Sequence, residues 1–505
     1  MIALDAVLQI FHPSVLFPLL IAMGFGIFVG GVPGLTATMA VALIIPITYY
    51  MEPIAGLAMV IGVSFTAIFA GDIPATFLRI PGTPASGAAI LDGFELTKKG
   101  KGGLALTLDL MCSVIGGLIG IVLLILVAPP LANFALRFTN FEYFWLGLFG
   151  LSMCVIMSRG NLINGMISAT LGLLISTVGI DITTGYPRFA FGNPELMGGI
   201  GFIPAMIGLF GLSEVLKRVQ RGSKALGTPT INEKVKISIW KALPIIWKHK
   251  WTLVKSAFIG TFTGALPGAG ADIAAWVAYG VAKRTSRNSD EFGTGSTEGV
   301  VAPTSANNAA LGGTWIPALV FGVPGDTITA IVLGAMLMYG LRPGPLIFQE
   351  SAELVTGIFT VAIVAQFLLI LVGFLGIKVY SQLLKLKTSI VLTAVVIFSM
   401  IGSFAIRNSF FDVYIMLAFG IVGYLLEKIR VPLAPMILGI ILGPMIEDNL
   451  RVGLMKTNGS MVPFFQRPIS LTLFILIALT LFGPVLVKII KRLARRRAVN
   501  GPESS

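Results

Sequence analysis

The chain has 505 residues, of which 55% are hydrophobic and only 12% charged, roughly half the charged share of a soluble domain. A soluble fold of this size has no way to hide so much apolar surface, because its exterior must carry polar groups. The net charge of +13 gathers in short clusters between apolar runs, the positive-inside pattern of a membrane protein rather than a nucleic-acid-binding face.

The N-terminus lacks a basic n-region and an A-x-A site, so no cleaved signal peptide is expected, and the first apolar run starts near Ser14. Long apolar runs follow at 104–128, 141–157, 354–379 and 469–490, each close to the ~20 residues that cross a bilayer as a helix. With the shorter runs broken by Gly and Pro, they predict an all-α integral membrane protein of roughly 10–12 transmembrane helices, some broken or re-entrant. The runs are continuous rather than alternating, which argues against a β-barrel. Three Lys at 98–101, nine Lys/Arg against one acid at 217–250, three basic residues at 283–287 and six at 488–497 are all expected to face the cytoplasm. Within the second cluster, 234–251 mixes Lys with Trp and Ile, which fits either an interfacial amphipathic helix or a plain basic loop.

An internal repeat organises the chain. Residues 26–40 (GIFVGGVPGLTATMA) match 260–274 (GTFTGALPGAGADIA) at a constant offset of 234, and 73–82 (IPATFLRIPG) match 316–325 (IPALVFGVPG) at an offset of 243. An insertion of nine residues in the second half accounts for the change. The domains expected are a first transmembrane repeat at 1–216, a basic cytoplasmic linker at 217–250, a second repeat at 251–490 and a cytoplasmic tail at 491–505. Equivalent loops carry opposite charge signals. The basic loop 98–101 corresponds to 339–353, with one Arg and two acids, and the basic loop 283–287 corresponds to 49–56, whose only charge is Glu52. The positive-inside rule therefore predicts two inverted repeats, an arrangement common in secondary transporters.

Four Gly/Pro-rich interruptions, 30–38, 81–86, 264–272 and 322–329, free backbone polar groups that lipid tolerates only beside a cavity or inside protein. Hydroxyls follow the breaks, where new helices would begin with free N–H groups suited to carboxylates. Candidate substrate-binding residues are Gly34, Thr36, Thr38, Gly82, Thr83, Ser86, Gly268, Gly325 and Thr327, together with Asn307 and Asn308 from the polar stretch 297–313. Kinking and close packing through small residues is the purely structural alternative. In the repeat alignment Thr38 corresponds to Asp272, and Thr83 to Asp326. These aspartates are candidate coupling-ion residues for Na⁺ or H⁺, with helix capping as the simpler alternative. Arg79, beside a break, either holds a substrate carboxylate bidentately or snorkels to the surface. Cys112 and Cys154 lie in apolar runs and read as core residues. His12 and His249 have no neighbours at ligand spacing, so no cofactor or bound metal is expected. P-loop, H-E-x-x-H, G-x-S-x-G and C-x-x-C motifs are absent, and no enzyme activity is expected.

At these motifs the sequence resembles the large membrane subunit of the tripartite tricarboxylate transporters. The resemblance rests on GGVPGLTATMAVALIIP, IPGTPASGAAILDGFELTKKG, GNPELMGGIGFIPAMIGLFGLSEVL, GALPGAGADIAAWVAYGVAKRTS, EGVVAPTSANNAALGGTWIPALVFGVPGD and GLRPGP, and it covers nearly the whole chain. It implies a multi-pass permease of the bacterial inner membrane that imports small carboxylates by alternating access, driven by an ion gradient. It also implies two protein partners, a small membrane subunit and a periplasmic solute-binding protein, besides the membrane lipid; no nucleic-acid partner is expected. Thr304 stands where the family usually has an acid, and Arg79 where it usually has Asn, so the substrate need not be a tricarboxylate. A self-sufficient ion-coupled carboxylate transporter and, further off, a membrane-embedded enzyme are the competing expectations.

Overall fold

The computed structural model describes residues 8–32, 35–157, 162–181, 184–221, 237–383 and 388–481. The N-terminal part contains α1 (Pro13–Gly31), α2 (Ala37–Thr48), α3 (Pro53–Ala70), the short α4 (Asp72–Leu78), α5 (Ser86–Lys98), α6 (Gly102–Ala135), α7 (Asn140–Met157), α8 (Leu162–Ser176) and α9 (Ser213–Arg221). The C-terminal part contains α10 (Ile239–Lys248), α11 (Lys250–Gly264), α12 (Gly270–Thr285), α13 (Thr297–Phe321), α14 (Thr327–Met338), α15 (Ala352–Leu383), α16 (Thr388–Arg407), α17 (Phe410–Lys428) and α18 (Ala434–Lys456), then α19 (Pro468–Leu481). One two-residue antiparallel ribbon pairs Gly179 with Arg188 and Ile180 with Pro187. Among the described residues six helices are long and apolar enough to span a bilayer, and five shorter apolar helices accompany them. The protein is therefore an all-α, polytopic membrane protein.

The ends of these helices follow local chemistry. Proline occupies the first turn of α1 and of α3, where a missing N–H costs nothing. Thr36 caps α2 through Met39 N–H, and Ser296 caps α13 through Gly299 N–H. The described part of the linker is helical: α10 buries Ala242 and Ile246 and exposes Trp240 and Trp247, an amphipathic pattern. Residues 222–236 of the linker, the basic cluster at 488–497 and the tail 491–505 lie outside the described residues.

Positions related by the two sequence offsets make equivalent contacts. On α1, Gly26 packs against the backbone of Val63 and Ala67, and Gly30 against that of Ala67. On α11, Gly260 packs against Ala306 and Gly264 against Ala310, which are Val63 and Ala67 shifted by 243. A Cβ on Gly82 would lie 3.1 Å from Gly30 O and 2.8 Å from Gly71 O, and one on Gly325 would lie 2.6 Å from Gly264 O and 2.7 Å from Thr314 Cα. Within both second motifs the helix ends in a left-handed residue, Arg79 (φ 57°) after α4 and Gly322 (φ 69°) after α13. The Arg79 N–H donates to Ala75 O and the Ile80 N–H to Pro74 O, just as the Gly322 N–H donates to Ala318 O and the Val323 N–H to Pro317 O. Small residues at the crossings let helix backbones touch, which is how helices associate without a hydrophobic drive between them.

The loops pair across the halves. Asp92 on α5 accepts three backbone N–H groups on one oxygen, from Gly293 (2.8 Å), Gly295 (2.8 Å) and Ser296 (2.7 Å), and Tyr279 Oη–H at 2.9 Å on the other. Lys99 Nζ donates to Thr294 O at 2.6 Å. The loop after α5 is thereby fastened to the loop after α12. Tyr339, at the end of α14, donates to Thr48 O at the end of α2.

Candidate functional site

A cavity of about 950 Å³ opens where the breaks meet. Its wall includes Thr36 and Thr38 at the start of α2, Thr83 and Pro84 just before α5, Gly268 to Asp272 at the start of α12, and Asp326 and Thr327 at the start of α14. Four helix N-termini thus converge on one space. Such ends carry partial positive charge and unsatisfied N–H groups, each favouring an anion by about 0.3–1 kcal/mol when exposed and up to ~2 kcal/mol when partly buried.

The two halves interlock at this point in a reciprocal way. Thr38 Oγ1 hydrogen-bonds Thr327 Oγ1 at 3.0 Å, joining the first break of one half to the second break of the other. Asp272, the counterpart of Thr38, accepts Ala85 N–H at 3.2 Å, joining the other pair of breaks. Within each half a matching turn precedes the new helix. Thr83 Oγ1 bonds Ser86 Oγ at 2.8 Å and accepts Ser86 N–H at 3.2 Å, while Asp326 Oδ1 accepts Thr329 N–H and Thr329 Oγ1–H, each at 2.7 Å. Both candidate ion-coupling aspartates are therefore engaged at helix starts: Asp326 caps α14 in a reciprocal capping box, and Asp272 reaches the first turn of α5 from the opposite half. Capping accounts for these contacts without a bound ion.

The other sequence candidates divide. Gly34 lies outside the described residues. Gly268, at φ 80°, borders the cavity and donates its N–H to Gly325 O at 2.7 Å; Gly82 and Gly325 are packing contacts behind the wall. Ser86 sits fully buried behind Thr83. Asn307 borders the cavity, whereas Asn308 is fully buried with neither side-chain polar atom hydrogen-bonded and is not part of the wall. Arg79 is also absent from the wall: its side chain is exposed and its guanidinium lies 5.7 Å from the Phe94 ring centroid.

Several wall residues come from outside the repeat motifs. Lys217 on α9 bonds Glu427 at 2.9 Å and also pairs with Glu214. Arg430, held in the left-handed region (φ 62°) just after α17, lines the same wall, and its guanidinium has no ion pair among the described residues. Asp72 and Asp109, each 1% exposed, sit behind the wall. Asp109 is the single acid in the apolar run 104–128, and an ionisable residue inside a membrane segment is the signal that marks it. Among the described residues no group of three or more His, Cys, Asp and Glu gathers as a metal cluster.

Residues 16–438 match the family model described as the tripartite tricarboxylate transporter TctA family. The chain belongs to that family. It is also 33% identical over 448 residues to a 52.8 kDa protein of Agrobacterium vitis encoded in the TAR-I region 3′ of ttuC′, an alignment covering 89% of this chain and 88% of that one. A second Agrobacterium vitis protein, from the corresponding TAR-II region, is 36% identical over 214 residues, 42% of this chain and 88% of its own length. No solved structure matches. TctA-family membership makes the chain the membrane-spanning permease component of a transporter.

Proposed function

We propose that this TctA-family protein imports small carboxylates across the bacterial inner membrane by alternating access, receiving them from a periplasmic solute-binding protein and working beside a small membrane subunit, with an ion gradient as the driving force. The observation that carries the reading is the convergence of four interrupted helices on one cavity, with hydroxyls, helix N-termini and Arg430 in its wall. Asp272 and Asp326 place carboxylates at the starts of α5 and α14, so the substrate carboxylate sits toward Thr36, Thr38 and Arg430. Alternating access follows from the two halves acting as opposed units. The fastening of one basic loop to the other through Lys99 and Thr294, and of Tyr339 to Thr48 at the other pair of loops, supports an inverted arrangement.

The test is reconstitution of the chain with its small membrane subunit in vesicles and uptake of labelled di- and tricarboxylates under an imposed Na⁺ or proton gradient. Uptake is expected only when the binding protein is present on the outer side. Equal uptake without it would replace this reading by a self-sufficient transporter, and no gradient-driven carboxylate uptake under any condition would remove the carboxylate reading itself.

A further inference from the structure

Asp72 and Asp109 lie behind the cavity, and the substrate contacts above do not use them. Asp72 opens α4, directly after the Gly71 joint with α3, and Asp109 lies about two turns into α6. The two side chains face each other, and Ser86 and Asn307 also approach Asp72. Ser113 Oγ–H donates to Asp109 Oδ1 at 3.4 Å. Both oxygens of Asp72, Oδ2 of Asp109 and Oδ1 of Asn307 are buried without a hydrogen-bond partner, and Asn307 is 2% exposed. Cys112 on α6 is a further titratable neighbour of Asp109, and among the described residues no Lys, Arg or His pairs with either acid.

Two carboxylates side by side in a dry interior cannot both stay ionised without a positive charge between them. The described residues supply none, so the charge comes from outside. The four unpartnered oxygens, two from Asp72 and one each from Asp109 and Asn307, are hard donors of the kind that hold alkali and alkaline-earth cations, and one positive charge shared between the two acids relieves their mutual repulsion. We propose that Asp72, Asp109 and Asn307 form the coupling-ion site, holding one positive charge, Na⁺ or a proton, between the two carboxylates.

The site is wired to the cavity through shared residues. Asn307 belongs to both, and Ser86 beside Asp72 bonds Thr83 of the cavity wall. A cation that draws Asn307 and Ser86 inward fixes the wall that contacts substrate. Linkage then requires substrate to tighten cation binding by the same factor. The coupling role rests on the transport reading above, whereas cation binding itself can be measured without substrate.

The experiment follows thermal unfolding of the full-length permease across NaCl concentration, with choline chloride holding ionic strength constant, from pH 6 to 8.5. For Na⁺ the midpoint is expected to rise by roughly 2 °C or more at 100-fold excess over Kd, in NaCl and not in choline chloride. For a proton it rises with falling pH and ignores NaCl. Asp72→Asn and Asp109→Asn are each expected to lose that response, because the amide keeps the shape and removes the charge. In case a variant does not fold, wild-type protein is treated with dicyclohexylcarbodiimide and mapped by mass spectrometry. Labelling at Asp72 or Asp109 is expected to fall about ten-fold in saturating NaCl for Na⁺, or to follow protonation with pH for a proton. A wild-type protein indifferent to both ions in unfolding and labelling, or folded variants that keep the full wild-type response, would overturn the assignment. Loss of carboxylate uptake in vesicles with the ion response intact would instead count against the transport reading alone.

Discussion

Gly264→Val is expected to prevent accumulation of folded protein, while Gly24→Ala leaves it unchanged or slightly more stable. A Cβ at Gly264 meets the backbone of Ala310, with its Cα and carbonyl carbon each 3.0 Å away and its oxygen closer still. Backbone cannot rotate aside as a side chain does, so α11 and α13 must separate. Overpacking a core typically costs about 1–3 kcal/mol, and a valine wedged against backbone lies at the upper end of that range or beyond it. Separation of these helices also pulls Gly325 away from Gly264, and with it the break that starts α14. At Gly24 nothing lies within 4 Å of the added carbon, and alanine is favoured over glycine in a helix by about 0.5–1 kcal/mol. Monodisperse yield in size-exclusion chromatography and the unfolding midpoint measure both variants. A Gly264→Val protein with wild-type yield and midpoint would show that the crossing is looser than the contact implies.

Arg430→Gln is expected to raise the KM for carboxylate uptake roughly ten-fold or more, with folded yield unchanged. Arg430 borders the cavity and its guanidinium has no ion pair among the described residues, whereas Lys217 in the same wall is already matched by Glu214 and Glu427. A hydrogen bond to a charged group contributes about 1.5–3 kcal/mol, and each ~1.4 kcal/mol is ten-fold in affinity. Glutamine keeps a donor and loses the charge, and Arg430→Lys should recover part of the affinity because the charge returns without the two-pronged geometry. Uptake kinetics in vesicles, measured with the binding protein saturating, read the change. An unaltered KM in Arg430→Gln would mean that the residue serves the membrane surface and not the substrate.

Much of this protein is written in local composition. The membrane class follows from apolar runs long enough to cross a bilayer, and the breaks follow from Gly and Pro, whose backbone constraints act within a few residues. The two offsets, 234 and 243, locate the paired motifs, and the glycine contacts of α1 on α3 and of α11 on α13 fall on positions related by those same offsets. Thr36, Thr38, Thr83, Gly268 and Thr327 were legible as candidate wall residues for that reason, each lying in or beside a motif, and Asn307 from the polar stretch 297–313; all six border the cavity. Arg79 was equally conspicuous as a charge beside a break, yet a left-handed C-cap turns its chain out over Phe94. Asp272 and Asp326 were legible as odd carboxylates, but their partners, Ala85 N–H from the other half and Thr329 from the capping box, appear only once the halves are assembled. Asp72, Asp109 and Arg430 depended most on tertiary structure. One acid scarcely lowers the hydropathy of the run 104–128, and one arginine after α17 reads as an ordinary helix end. What sets these residues apart is the company that packing gives them: a second carboxylate brought in from another helix, or a cavity wall built from segments more than a hundred residues away. Helix breaks, capping turns and apolar length are short-range and depend on the chain's own neighbouring residues, so the sequence by itself determines them; a buried charge acquires its role from groups that only the folded bundle brings within reach.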